Sequence, residues 1–138
     1  MKKIVLHGRK VVGGSAEGEA LVTKDSISAF GVLDVYTGTI TERGHELRNK
    51  SISGKILVFP TGKGSSAWSM GAQACRFAGR CPRALVFKEI NAQLALGSVV
   101  MRVPAVTNLD QDPTEVISSG DWVKVDADKG LIEITKKD

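Results

Sequence analysis

The sequence is poor in two kinds of residue, and both shortages narrow what the protein can do. Aromatic residues make up only 5% of the 138 positions, and there are two cysteines. Sites for single-stranded nucleic acid need aromatic stacking platforms beside a basic groove. Here the net charge is +4, but the lysines and arginines are scattered along the chain without a basic block. We therefore expect no nucleic-acid partner.

Long apolar runs and targeting signals are also missing. No run approaches the ~18 apolar residues that a membrane-spanning helix needs, and the first residues contain no signal-peptide core with a cleavage site. The sequence thus predicts a cytoplasmic protein that binds no membrane. The spacing of Cys75 and Cys81 matches no zinc or redox motif, so both are predicted to be reduced thiols, and no metal site is expected in the chain.

What remains is the composition of an ordinary globular protein, with 42% hydrophobic and 25% charged residues. There is no internal repeat, low-complexity tract or linker, so residues 1–138 are predicted to form a single domain. The order of its strand and helix signals gives this domain a β/β/α character.

The segment 55–71 contains a strand, a glycine turn and the start of a helix. The apolar run Ile56–Phe59 predicts a buried strand that Pro60 ends, and Ser65 or Ser66 is a suitable N-cap for the helix that follows. The helix is expected to end near Gly79. Its apolar residues are predicted to lie on two adjacent faces, one with Trp68, Cys75 and Ala78 and the other with Met70, Ala74 and Phe77.

A second apolar run, Ala84–Phe87, predicts another buried strand. A strand, a helix and a strand within about thirty residues form a right-handed crossover, so the two strands should be parallel and close neighbours. The glycine turn then lies at the carboxyl edge of the sheet, where open α/β sheets bind their ligands.

Weaker signals predict the rest of the fold. They indicate strand pieces at Ile4–Leu6 and Val11–Val12, a strand at Glu19–Thr23, a hairpin at Thr37–Gly38, a helix at Asn91–Val100, a strand at Pro104–Thr107, a helix capped by Asp112 with Pro113 at its first position, and a C-terminal hairpin of Trp122–Asp126 and Leu131–Thr135. The glycine-rich stretch 13–18 fits either a close approach to a ligand or a tight hairpin or bulge.

The turn 61–66 has the chemistry of an anion site. Gly62 and Gly64 allow close approach of the backbone, Lys63 supplies a positive charge, and the first N–H groups of a helix favour negatively charged oxygens. The residue order is not that of a phosphate loop, and Gly-x-Ser-x-Gly is absent. The negatively charged oxygen belongs either to a ligand or to the Ser65 hydroxyl itself; alternatively, Ser65 only caps its helix.

Two further features have less specific interpretations. His45 lies among charged residues and is predicted to be a surface histidine rather than a base. The apolar stretch 29–33 and the glycine turn 13–18 either face a partner near the Ser65 edge or are buried within the domain.

Several segments, taken in order, resemble the small subunit of the aconitase X family, its swivel domain. They are Gly18–Val22, Thr37–Ile40, His45, Ser51–Pro60 and Gly62–Ser66, and the resemblance extends from about Gly8 to Ile134. It implies a swivelling β/β/α fold like the C-terminal domain of aconitase. The glycine turn also resembles the Gly-Ser-Ser of that domain, in which the serine removes a proton from a substrate carbon.

This resemblance assigns roles to the residues of the turn. It makes Ser65 the catalytic base, and Gly62, Lys63, Gly64 and Ser66 the substrate-binding residues. Aconitases have an arginine after the two serines, whereas this chain has Ala67. We therefore expect that citrate is not a substrate.

The resemblance further implies a hydro-lyase divided between two chains, in which this chain is active only with a large subunit. The large subunit is expected to supply an iron or iron–sulfur centre, and this chain none of its ligands. Family members of this kind dehydrate mevalonate 5-phosphate or cis-3-hydroxy-L-proline, and the sequence leaves both open. The rival interpretation is a non-catalytic swivel or scaffold module that holds an anionic ligand or a partner.

Overall fold

The structure, a computed structural model, describes residues 2–28, 33–64 and 67–138 of the chain. Its strands are β1 Lys3–His7, β2 Arg9–Val12, β3 Ser15–Val22, β4 Leu33–Asp34, β5 Thr39–Ile40, β6 Ile56–Phe59, β7 Ala84–Phe87, β8 Ala105–Thr107, β9 Trp122–Asp126 and β10 Leu131–Thr135. Its helices are α1 Trp68–Phe77, α2 Ala92–Met101 and α3 Pro113–Val116, and a short 3₁₀ turn joins β9 to β10. Among the described residues no helix is long and apolar enough to cross a membrane.

One mixed sheet contains most of the strands, in the order β1, β10, β9, β3, β6, β7, β8, β2. The central strands β3, β6, β7 and β8 run parallel, and the other neighbours pair antiparallel. The short strands β4 and β5 form a separate antiparallel pair. The parallel centre requires crossovers, and β6, α1 and β7 make one of them.

Gly8 connects the two ends of this sheet. It is the only residue between β1 and β2, although these strands stand first and last in the strand order, so the sheet curls until its ends meet there. The Gly8 N–H donates to the Gly130 carbonyl at 2.8 Å. A Cβ at Gly8 would lie 2.6 Å from the Thr107 carbonyl oxygen, so a side chain does not fit without a shift of the backbone.

Apolar side chains cover both faces of the central strands. On β6, Leu57 and Phe59 belong to the cluster beneath α1 and α2, whereas Ile56 and Val58 belong to the cluster inside the curled sheet. All residues of β6 and β7 are buried. A strand that is buried on both faces has a continuous apolar sequence, and this explains why the two runs were recognisable.

The main predictions about the fold are confirmed. The chain has an α/β fold in which β6 and β7 are adjacent and parallel, and β9 and β10 form the C-terminal hairpin. The Asp112 side chain accepts from the Thr114 N–H at 2.9 Å, and Pro113 is the first residue of α3. The turn between β4 and β5 contains Gly38, whose φ is +72°.

Other predictions need correction. The N-cap position of α1 is Ala67, whose carbonyl accepts from the N–H groups of Met70 and Gly71, and the predicted caps Ser65 and Ser66 lie outside the described residues. Of the two predicted apolar faces of α1, the first buries Trp68 and Cys75 but not Ala78, and the second leaves Met70 and Phe77 exposed. Within the glycine-rich stretch 13–18, β3 already begins at Ser15, because this segment pairs with β9.

Candidate active site

The glycine turn after β6 lies against the segment that contains Ile27. The Ile27 N–H donates to the Thr61 carbonyl at 3.0 Å, and the Lys63 N–H donates to the Ile27 carbonyl at 2.9 Å. These two bonds form a parallel bridge between Ile27 and Gly62. The turn therefore continues the sheet beyond the carboxyl end of β6, as the crossover predicts.

Two glycines in the turn are required by packing and backbone conformation. A Cβ at Gly62 would lie 3.2 Å from the Leu94 Cβ and 3.3 Å from the Trp68 indole nitrogen, so this glycine lets α2 and α1 pack closely on the turn. Gly64 has a φ of +101°, which side chains rarely adopt. These constraints explain both glycines without reference to a ligand.

The N-terminus of α2 holds the turn from the other side. Asn91, the N-cap of α2, donates from its side-chain nitrogen to the Gly62 carbonyl at 2.8 Å and to the Thr61 hydroxyl at 3.1 Å. Gln93 donates to the Gly64 carbonyl at 3.2 Å. Neither residue was a candidate in the sequence. An asparagine before an apolar helix indicates a cap. The bonds from its amide nitrogen to Thr61 and Gly62 cannot be recognised in the sequence, because these residues are twenty-nine or more positions away.

The head of α1 is fixed by Trp68, its first residue. The Trp68 indole N–H donates to the Ile27 carbonyl at 3.0 Å, and the side chain is almost fully buried. Because the same carbonyl accepts from the Lys63 N–H, one backbone oxygen joins the turn to the start of the helix.

Lys63 does not present an isolated positive charge. Its Nζ lies 2.6 Å from Oε2 of Glu42, and the side chains are 45% and 22% exposed respectively. An anion that binds Lys63 has to compete with this carboxylate. The site is therefore less positive than the sequence of the turn alone suggests.

His45 is buried, so its prediction as a surface histidine is wrong. Only 6% of the residue is exposed. The Leu47 N–H donates to Nδ1 at 3.0 Å, which places the ring proton on Nε2, and Nε2 donates to the Ser26 carbonyl at 3.0 Å. The His45 ring thus connects the segment around Leu47 to Ser26, which precedes the residue that contacts the turn, Ile27. Both ring nitrogens are used in structural hydrogen bonds.

The two cysteines lie together at the far end of α1 and are free thiols. A hydrogen bond with Cys81, together with burial, raises the pKa of the Cys75 thiol, and the same hydrogen bond lowers the pKa of Cys81. Within residues 2–28, 33–64 and 67–138, no three histidine, cysteine or acidic side chains are grouped as metal ligands are.

Several predicted features lie outside the described residues. They are Ser65, Ser66 and the part of the apolar stretch from Ala29 to Val32. The roles assigned to Gly62, Lys63, Gly64, Ser65 and Ser66 remain predictions.

Comparisons with known proteins agree with the resemblance found in the sequence. The model of the family described as aconitase X swivel domain matches residues 5–134. The phosphomevalonate dehydratase small subunit of Methanocella arvoryzae is 39% identical over 130 residues, which cover 94% of this chain and 98% of that protein. The protein of the same name from Methanosarcina acetivorans is 40% identical over 136 residues, with coverages of 99% and 94%.

A solved structure shows the same fold. The crystal structure of the holo-form of Thermococcus kodakaraensis aconitase X matches with a TM-score of 0.90 and 38% identity, over 96% of this chain and 99% of the matched one.

Proposed function

The chain belongs to the aconitase X swivel-domain family, and from this we propose that it is the small subunit of a two-chain dehydratase that acts on mevalonate 5-phosphate. The single observation that carries the proposal is the glycine turn. It is held at the carboxyl edge of the sheet by Asn91 and Ile27, and it leads directly into Ser65.

In this proposal Ser65 removes the proton from the substrate carbon next to the one that loses its hydroxyl group. A serine hydroxyl is a very weak acid, so it acts as a base only where its alkoxide is stabilised. The start of α1 and Lys63 both favour negative charge near Ser65, but a helix terminus contributes only about 0.3–2 kcal/mol. The chain alone is therefore too weak a catalyst, and the large subunit has to complete the site.

The large subunit is also where we place the iron or iron–sulfur centre. Dehydration expels a hydroxyl group from the substrate, and such a centre supplies an acid that accepts it. The described residues of this chain provide no ligand cluster for it. The contribution of this chain is to bind, to orient and to hold the proton at Ser65.

Two observations support this choice of substrate, namely the names of the relatives and the charge of the turn. The two relatives above are named phosphomevalonate dehydratase small subunits. The Lys63 ammonium, once an anion displaces Glu42, suits a phosphate as well as a carboxylate, since both present oxygens. Mevalonate 5-phosphate carries both groups, whereas cis-3-hydroxy-L-proline carries only the carboxylate.

The experiment is to co-express this chain with its large subunit and to assay the complex on mevalonate 5-phosphate, cis-3-hydroxy-L-proline and citrate. Loss of the substrate and appearance of the product are followed. We expect turnover of mevalonate 5-phosphate, none of citrate, and none by this chain alone. Turnover of only cis-3-hydroxy-L-proline would overturn the substrate, and substantial turnover by the isolated chain would overturn the two-subunit proposal.

The serine is tested in the same complex. Ser65→Ala should leave the complex assembled and lower kcat by about 10²–10⁴-fold, as expected for the loss of an acid–base group. Ser66→Ala should lower the activity less. If the chain is only a binding module, Ser65→Ala leaves the activity of the complex almost unchanged; if Ser66→Ala is the more damaging, the other serine is the base.

A further inference from the structure

Asn91 uses both halves of its side-chain amide, and each half serves a different element. The oxygen accepts from the Leu94 N–H at 2.9 Å, which caps α2. This bond fixes the orientation of the amide. The nitrogen then donates to the Gly62 carbonyl at 2.8 Å and to the Thr61 hydroxyl at 3.1 Å.

Capping alone does not require an asparagine. Aspartate and serine cap helices about as well, because a cap needs only an acceptor oxygen. Neither has an amide nitrogen with two protons. An aspartate would place a carboxylate oxygen against the Gly62 carbonyl, and a serine is too short to reach it. The donation to the turn is therefore separable from the cap by substitution.

The helix that Asn91 caps, α2, is held firmly by its packing on the core. Leu94 is fully buried, and Gly97, one turn further along α2, lies directly against the Trp68 ring. The turn thus takes its position from a helix that is itself fixed to the core. Gln93 adds a bond to the Gly64 carbonyl from the same helix.

We propose that Asn91 is a positioning residue for the dehydration: its amide nitrogen holds the turn 61–64 and thereby places the Ser65 that follows. This inference rests on the proposed function of Ser65. Asn91 acts through the turn and does not touch the substrate. A displacement of about 1 Å at a reacting group is enough to lower a rate about 10²-fold, so the orientation of one amide matters for catalysis.

The test compares Asn91→Asp and Asn91→Ser, which keep the cap, with Asn91→Ala, which loses it. Serine adds no charge, so agreement between the first two variants excludes a purely electrostatic effect of the new carboxylate. Asp112→Ala is the matched control, because it removes the N-cap of α3, and the Asp112 side chain bonds to Thr114 and Lys88 but to none of the described residues 61–64. Each variant is measured as the complex with the large subunit for kcat, KM and Tm.

We expect Asn91→Asp and Asn91→Ser to lower kcat about 10–100-fold with little change in KM, and to lower Tm by no more than a few degrees, as the loss of the bonds to Gly62 and Thr61 requires. Asn91→Ala should lower both kcat and Tm, and Asp112→Ala only Tm, by a few degrees. In the full chain alone, the amide resonances of Lys63 and Gly64 should shift in both cap-keeping variants and not in Asp112→Ala.

Wild-type kcat in the Asp and Ser variants overturns the inference, and so do unchanged Lys63 and Gly64 resonances. Failure of the proposed function has a different signature. If Ser65→Ala retains full activity, or if the wild-type complex dehydrates neither compound, the serine assignment or the reaction is wrong, and the resonances still decide whether Asn91 positions the turn.

Discussion

Gly97 of α2 lies against the indole ring of Trp68 with no space for a side chain. A Cβ at Gly97 would be 2.1 Å from Cε3 and 2.5 Å from Cζ3 of the ring. Since Trp68 is the first residue of α1 and donates to the Ile27 carbonyl, this contact connects α2, the head of α1 and the strand segment beside the glycine turn.

Gly97→Ala should therefore destabilise the protein although alanine favours helices. Alanine stabilises a helix by up to about 1 kcal/mol relative to glycine. Overpacking a buried contact of this kind typically costs about 1–3 kcal/mol, and the Trp68 ring cannot move aside easily because its N–H is bonded to the Ile27 carbonyl. We expect a net loss of free energy of unfolding in urea, with lower activity of the complex. Leu96→Ala, at the exposed preceding position, is the control and should change stability little. Equal stability of Gly97→Ala and wild type would contradict this contact.

Glu42→Gln should strengthen binding of an anionic substrate, because it removes the carboxylate that pairs with Lys63 at 2.6 Å. The pair is partly exposed, so the free energy of unfolding should change by less than about 1 kcal/mol. The expected result is a lower KM for mevalonate 5-phosphate in the complex, with the largest difference at low salt. Glu115→Gln removes the partner of Lys24 in a comparable surface pair and should not change KM. A raised KM in Glu42→Gln would mean that Glu42 orients Lys63 and does not compete with the substrate.

Asp121 should make stability depend on acid pH. Burial by itself raises the pKa of this carboxyl, but hydrogen bonds from Lys136 and from the N–H groups of Lys137 and Ser118 outweigh it, so the pKa is lowered on folding. A lowered pKa stabilises the folded state above the unfolded value of about 3.9, and this stabilisation is lost as the pH falls through the folded pKa.

We therefore expect Asp121→Asn to lower the free energy of unfolding by about 1–3 kcal/mol at pH 7, as for other buried charged hydrogen bonds. The difference from wild type should shrink below about pH 4. Urea unfolding at a series of pH values measures it, and Glu133→Gln, at an exposed position of β10, serves as the control. A difference that is constant down to pH 3 would show that the charge of Asp121 contributes nothing.

The sequence was informative where structure depends on local pattern. Ile56–Phe59 and Ala84–Phe87 are continuous apolar runs because parallel central strands are buried on both faces, and both were recognised together with their pairing. Asp112 and Pro113 form a local cap signal whose partner, Thr114, is two residues away.

The sequence was uninformative where the partners are distant. His45 lies among charged residues, which favours an exposed position. Its hydrogen-bond partner Ser26 is nineteen positions earlier, so the residues around His45 do not indicate that the ring is buried. Asn91 marked the start of a helix, yet its contact with Gly62 depends on the tertiary arrangement of two crossovers. The structure gives Ala67 as the residue before α1, and pattern alone does not decide among adjacent residues where a helix begins.

The connection through Gly8 also determines the order in which the chain can assemble. β1 is the first strand in the sequence and pairs with β10, the last, while β2 pairs with β8. During synthesis β2 has no partner until β8 has emerged, and β1 has none until β10 has emerged. A topology with such distant pairings folds slowly, and it makes β1 and β2 late to reach their places.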